Sequence, residues 1–232
     1  MAYRTPFLVY ILLLLLSVPV HGQEWLREEV DRLVIHNDSI HHNNPAQIVF
    51  TGSSSIRKWY SLNSDYPGVH ILNTGFGGSQ ASDLLYFLDD LVGHYRPQKV
   101  FIYEGDNDIA SKKKPKRVLA DLKEIARRLK AQQPQIQIVY ISAKPSPSRW
   151  KFRGKFRRLN RKLAQFCAQD PQLQFVDVWQ PMLDGRKPKT DIFVSDRLHM
   201  NEKGYAIWKA VLAPFVPLNP IEMATNNETN LN

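Results

Sequence analysis

The chain of 232 residues reads as an α/β protein, with a parallel sheet wrapped by helices on both faces. Three observations point there. Five short apolar runs rich in β-branched and aromatic residues recur along the chain. Segments with helical periodicity alternate with them. Polar loops, several marked by glycine, follow the runs.

The elements follow in order. Glu24 to His36 is an acidic-basic helical stretch, and Asn37 to Gln47 a polar loop rich in Asn and His. Ile48–Thr51 is the first strand and Val69–Asn73 the second, with Gly75, Gly77 and Gly78 just beyond. Leu84, Leu85, Leu88 and Leu91 give Ser82–His94 a helical period. Lys99–Glu104 is the third strand. Lys116–Gln132 is an amphipathic helix with Val118, Leu122, Ile125 and Leu129 on one stripe and Pro115 at its start. Ile136–Ser142 is the fourth strand, Trp150–Gln169 a basic helix and Gln174–Val178 the fifth strand. Asn201 is placed to cap a last helix carrying Tyr205, Ile207, Trp208, Val211 and Leu212. No internal repeat or linker divides the chain, so residues 23–217 are expected to form one domain.

The ends carry a separate message. Arg4, then the apolar run Phe7–Leu16, then the small residues of Ser17–Gly22 have the order of a secretory signal, with cleavage expected after Gly22. The run is short for a membrane span, which needs about 20 apolar residues; an uncleaved anchor is the second reading. Residues 1–22 are therefore expected to be a signal peptide, the protein to be exported (periplasmic or secreted), and residues 218–232 to form a polar tail. No stable membrane insertion is expected after cleavage.

Apolar residues make up 43% and charged residues 23%, which excludes disorder across the whole chain. The formal net charge of +9 is concentrated in Ser111–Arg117 and Arg149–Lys162. Such runs read first as a solvated loop and the wet face of a helix. Outside the cytoplasm, attraction to anionic lipid or polysaccharide fits them better than DNA, and no nucleic-acid partner is expected. Cys167, the sole cysteine, falls on an apolar helical pattern and reads as core. Asn37-Asp-Ser and Asn227-Glu-Thr match the glycosylation acceptor pattern, which matters in a eukaryotic host.

In parallel sheets the site lies at the carboxyl ends of the strands. Strand one ends in Gly52-Ser-Ser-Ser55, strand two in Asn73-Thr-Gly-Phe-Gly-Gly78, strand three in Glu104-Gly-Asp-Asn-Asp108, and the loop after strand five holds Asp196-Arg-Leu-His199. A serine hydroxyl attacks only when a base takes its proton, and that base needs a group to hold its tautomer. His199 is the best candidate base, with Asp196 three residues earlier. His36, His41 and His42 lie in a polar segment without an accompanying ligand pattern and read as a solvated loop. Oxyanion donors are available from the Ser54 backbone if that serine begins a helix, from the Gly78 backbone and from the Asn107 amide.

Four blocks resemble the SGNH hydrolases, also called GDSL esterases/lipases: Ile48-Val-Phe-Thr-Gly-Ser-Ser-Ser-Ile56, Asn73-Thr-Gly-Phe-Gly-Gly-Ser79, Gly105-Asp-Asn-Asp108 and Asp196-Arg-Leu-His199. They occur in that family's order and leave little of residues 23–217 outside their span. The branch they most resemble is that of the platelet-activating-factor acetylhydrolases. The resemblance implies a three-layer, flavodoxin-like α/β/α sandwich with five parallel strands, no metal and no cofactor. It puts Ser54 at the nucleophile position, Gly78 and Asn107 at oxyanion positions with the Ser54 N–H, and Asp196 and His199 at the acid–base positions. Ser53 and Ser55 replace the family's usual Asp and Leu, so the nucleophile is chosen among three adjacent serines. Gly52 anchors the register in favour of Ser54.

The activity implied is hydrolysis of carboxylic esters through an acyl-enzyme, with short acyl or acetyl groups on a small molecule, saccharide or lipid as the expected substrate. The alternative is a non-catalytic module holding a glycan or anionic ligand at the same edge. Gly75–Gly78 fails the dinucleotide-binding spacing because residue 80 is Gln, and no Walker sequence occurs. Lys144-Pro-Ser-Pro-Ser-Arg149 should border the site, without an assignable role, and the oligomeric state is left open.

Overall fold

The computed structural model describes residues 23–41 and 47–217. The expected signal segment, the polar tail, His42 and the second glycosylation motif lie outside them. Five strands form one sheet: β1 (Ile48–Gly52), β2 (Ile71–Gly75), β3 (Lys99–Tyr103), β4 (Gln137–Ile141) and β5 (Leu173–Val176). Their order is β2-β1-β3-β4-β5 and every pairing is parallel. The strand order reverses between β1 and β3, so the loops leaving those two strands part and open a crevice.

Alternate residues of each strand bury on opposite faces. Val49, Val100, Ile102, Ile138 and Tyr140 join one core; Ile48, Phe50, Phe101, Tyr103, Val139 and Ile141 join the other. The first face is covered by α1 (Arg27–His41) and by helices further along the chain. The second is covered first by the short α2 (Ser54–Arg57) and α3 (Leu62–Asp65). Further along the chain, α4 (Ala81–Tyr86), α5 (Leu88–Leu91), α6 (Asp106–Ala110), α7 (Pro115–Gln132) and α8 (Arg153–Cys167) pack on the first face, and α9 (Glu202–Leu212) returns to the second. Trp59, Tyr205 and Trp208 fill the second face, and Cys167 is buried in the first. This is the expected three-layer α/β/α sandwich.

Several boundaries differ from the sequence reading. α1 runs on to His41 because Asn37 turns inward, buried, with its amide donating to the Asn73 carbonyl of β2. The single helix expected over Ser82–His94 is interrupted at Phe87 and followed by a 3-10 turn over Gly93–Tyr95. That run ends at Arg96, held at φ 45°, since the next residue is Pro97 and a residue before proline is disfavoured in the helical region. The expected basic helix opens with a 3-10 turn, Trp150–Phe152. Asn201 caps α9 as expected, its side chain accepting from the Gly204 N–H. A small hairpin, β6 (Leu183–Asp184) with β7 (Lys187–Pro188), has no counterpart in the sequence reading.

Gly52 at the end of β1 sits at φ +119°, and a Cβ there would meet the Tyr103 carbonyl oxygen at 2.0 Å. Only glycine lets the chain leave β1 this close to β3. That tight exit determines where the following serines point.

Candidate functional site

Ser53 takes the cap position of α2 in an extended conformation, and Ser54 begins the helix. The three serines therefore part. Ser53 and Ser55 are buried, while Ser54 is half-open and its Oγ lies 2.9 Å from His199 Nε2. His199 Nδ1 in turn lies 2.5 Å from Asp196 Oδ2. Ser54, His199 and Asp196 thus form a continuous hydrogen-bonded row, although 145 residues separate its first two members.

The loop that carries the pair is tightly folded. Asp196 Oδ1 accepts from the backbone N–H of Leu198 and of His199, and Arg197 between them adopts φ 59°. Val194 N–H donates to the His199 carbonyl. Burial by itself would raise the Asp196 carboxyl. The hydrogen bonds from the His199 ring and from the two backbone N–H groups outweigh it and hold the group down at about 2. Asp196 is therefore an anion at neutral pH. It fixes the tautomer that leaves Nε2 free to accept the Ser54 proton.

The three candidate donors stand just beyond the ends of β1, β2 and β3. The Ser54 N–H, first in its helix, has no intrahelical acceptor. Gly78 sits at φ +70°, a conformation suited to glycine, and its N–H makes no hydrogen bond among the described residues. One Asn107 amide N–H donates to the Ser79 carbonyl at 2.8 Å, which leaves the second uncommitted.

Around these lie residues outside the expected catalytic set. Arg149 Nη2 donates to Asn107 Oδ1 at 2.8 Å, fixing which end of the amide faces inward. Its Nη1 is 2.9 Å from Asp106 Oδ2, a charge contact without hydrogen-bond alignment. Lys144 is buried and donates to the Leu198 carbonyl at 2.9 Å, tying the end of β4 to the loop of His199. Burial pushes its ammonium below the ordinary lysine range, with Arg149 adding to that and Asp106 opposing it. Their signal was positional: basic residues at the carboxyl end of a sheet strand. Ser79 Oγ donates to Glu104 at 2.6 Å, and burial followed by the neighbouring Asp108 pushes the Glu104 carboxyl well above the usual range. Asp108 accepts the Ala81 N–H at the start of α4. Tyr205 Oη donates to the Ser55 carbonyl, joining α9 to α2.

A cavity of about 630 Å³ opens beside His199, walled by Tyr60, Val194, Met200 and Tyr205. Among the described residues, no group of three or more His, Cys, Asp or Glu is placed to hold a metal ion, and no helix is long and apolar enough to cross a membrane. His36 lies on the exposed part of α1, and His94 pairs with Asp38 at 2.9 Å.

Residues 38–207 match the model of the GDSL-like lipase/acylhydrolase family. No curated protein matches the chain. Among solved structures, a Streptococcus pneumonia protein named for platelet activating factor is 20% identical, with 92% of this chain and 100% of that chain covered at a TM-score of 0.73. A GDSL-like lipase from Bacteroides thetaiotaomicron is 20% identical, covering 81% and 96% at a TM-score of 0.70. A carbohydrate esterase family 3 protein from Talaromyces cellulolyticus is 14% identical, covering 78% and 99% at a TM-score of 0.59. The fold shared with these proteins is an α/β sandwich with a crevice at the strand ends. The chain belongs to the GDSL-like lipase/acylhydrolase family and is a hydrolase acting on ester bonds.

Proposed function

We propose that the protein is a serine esterase that removes short acyl groups, acetyl first among them, from saccharide or lipid esters through an acyl-enzyme on Ser54. The observation that carries this is the row Ser54 Oγ–His199 Nε2–Asp196 Oδ2, with contacts of 2.9 and 2.5 Å. Ser54 Oγ attacks the ester carbonyl while His199 takes its proton. The oxyanion meets the N–H groups of Ser54, Gly78 and Asn107. His199 then protonates the departing alcohol and next activates the water that frees the acid.

The short-acyl preference is supported by the shape of the neighbourhood. The open cavity beside His199 suits an alcohol moiety, and the indole of Trp25 stands 3.7 Å from where a Gly78 Cβ would be, limiting the space next to that donor. The saccharide reading draws on the fold shared with a carbohydrate esterase. The apolar run Phe7–Leu16, read as an export signal, supports a substrate outside the cytoplasm.

Ser54→Ala tests the reading. It is expected to abolish p-nitrophenyl acetate turnover and fluorophosphonate labelling while leaving the urea melt unchanged. Full activity in that variant rejects Ser54 as nucleophile. Absence of labelling in the wild type favours the binding-module alternative.

A further inference from the structure

A cavity of about 890 Å³ lies away from the Ser54 row, between α8, the edge strand β5 and the β6–β7 hairpin. Its wall is dominated by arginine: Arg153, Arg157, Arg158 and Arg161 from α8 face Arg186 from the hairpin. All five are exposed. Among the described residues none of them pairs with a carboxylate. Elsewhere the chain does pair its arginines, with Arg27 on Asp90, Arg57 on Glu29 and Arg127 on Glu124. Five like charges around one groove repel one another, and the single acid in the wall offsets only one of them. The one acid in the wall, Asp177, has Oδ1 committed to the Ser142 hydroxyl and the Trp179 N–H.

The arrangement selects among polyanions. Arg153, Arg157 and Arg161 recur at every fourth residue, so the charges step along the helix at about 6 Å intervals. That spacing suits a chain with repeated anionic groups better than one isolated phosphate. Trp150 is stacked on Trp179 with centroids 5.9 Å apart, and the Arg153 guanidinium lies 5.5 Å from the Trp150 ring. The aromatic surface is thus already occupied, which removes the stacking platform that single-stranded nucleic acid uses. A concave polar trough also suits a flexible chain better than the plane of a bilayer. Adjacent residues link the groove to the proposed site: Trp150 in its wall follows Arg149 in the chain, and Arg149 bonds Asn107.

We infer that this groove binds an anionic polysaccharide, one carrying carboxylate or sulfate groups along its chain, and presents acyl esters on that polymer to Ser54. The second half of this statement rests on the esterase reading above; the binding half does not.

The test uses hyaluronan fragments as the carboxylate probe, heparin fragments as the sulfate probe and neutral dextran as control. Binding is measured by anisotropy at low and moderate salt on wild type, Ser54→Ala, the groove variant Arg157→Glu/Arg161→Glu, and a charge-matched variant, Arg32→Glu/Lys203→Glu, on exposed residues outside the groove. At least one anionic glycan is expected to bind wild type and Ser54→Ala alike, and dextran to bind neither. The groove variant is expected to lose at least about ten-fold in affinity, the charge-matched variant much less, with p-nitrophenyl acetate turnover unchanged in both. Equal loss in the two variants, or none in the groove variant, overturns the inference. Tighter binding of single-stranded DNA or of anionic vesicles than of either glycan overturns it as well. If Ser54→Ala keeps its esterase activity while the groove variant loses glycan, the catalytic reading fails and the groove stands.

Discussion

Asn107→Ala isolates one donor of the proposed oxyanion hole. The amide is held at both ends: Nδ2 donates to the Ser79 carbonyl at 2.8 Å, and Oδ1 accepts from Arg149 at 2.8 Å. In the proposed mechanism its remaining N–H meets the negative charge that develops in the transition state. Losing such a donor costs about 10²–10³ in kcat, or about 3–4 kcal/mol of barrier, where the donor is held in place in advance. The substitution also leaves the Ser79 carbonyl and one Arg149 N–H without their partner, a stability cost of about 1–3 kcal/mol. Arg149 keeps 17% of its side chain exposed, which lets water replace part of that loss. The assay is kcat and KM for p-nitrophenyl acetate, with a urea melt on the same sample. The expected result is a collapse of kcat with KM nearly unchanged, the pattern of an interaction made only in the transition state. A raised KM at wild-type kcat, or a kcat within about ten-fold of wild type, refutes the assignment.

Two further predictions concern titration. Asp196→Asn, measured by pH–rate profiles, should lower kcat by about 10³–10⁴ at neutral pH, because an amide favours the wrong imidazole tautomer. With the carboxyl held at about 2 against an ordinary 3.8, the wild type's stability margin over this variant should be full above pH 3.8 and vanish as the pH falls through 2; a margin independent of pH rejects that linkage. Glu104 shifts the other way, its folded carboxyl lying well above 4.5. The stability of wild type relative to Glu104→Gln should be greatest below pH 4.5 and should decline by about 1.4 kcal/mol per pH unit above it until the buried carboxyl ionises. Parallel urea series from pH 4 to 9 decide this, and a constant difference across the range counts against a buried neutral acid.

The sandwich was legible because its cause is local. A strand buried on both faces reads as a near-continuous apolar run, and Ile48–Phe50, residues 100–103 and residues 138–141 carry that pattern. The break at Phe87 was not, since the apolar spacing of Leu84, Leu88 and Leu91 continues through it. The candidate site was legible where chemistry and position coincide, as at Asp196 and His199. Among the three serines, composition could not choose. The choice is geometric, set by the glycine turn at φ +119° that buries Ser53 and Ser55 and leaves Ser54 facing His199. Arg149 and Lys144 were illegible in role because their partners, Asn107 and the Leu198 carbonyl, lie 42 and 54 residues away along the chain.

Those two basic residues answer a problem the fold creates. Ser54, Asn107 and His199 stand on three separate segments, after β1, after β3 and after β5, and the first two of these part at the crevice of the strand reversal. Apolar packing beneath the sheet cannot align side chains above it to the few tenths of an ångström that proton transfer requires. Polar pairs can, because hydrogen bonds are directional. The segment after β4 supplies them: Lys144 reaches one loop through Leu198, Arg149 reaches another through Asn107, and Asp106 lies between the two cations at 3.7 and 2.9 Å. Burying a lysine for this purpose costs desolvation that an apolar residue would avoid. In a purely structural role such a cost serves no end. Placed between the loop of the base and the loop of an oxyanion donor, it exchanges stability for alignment, as expected where a fold is shaped by the chemistry it carries out.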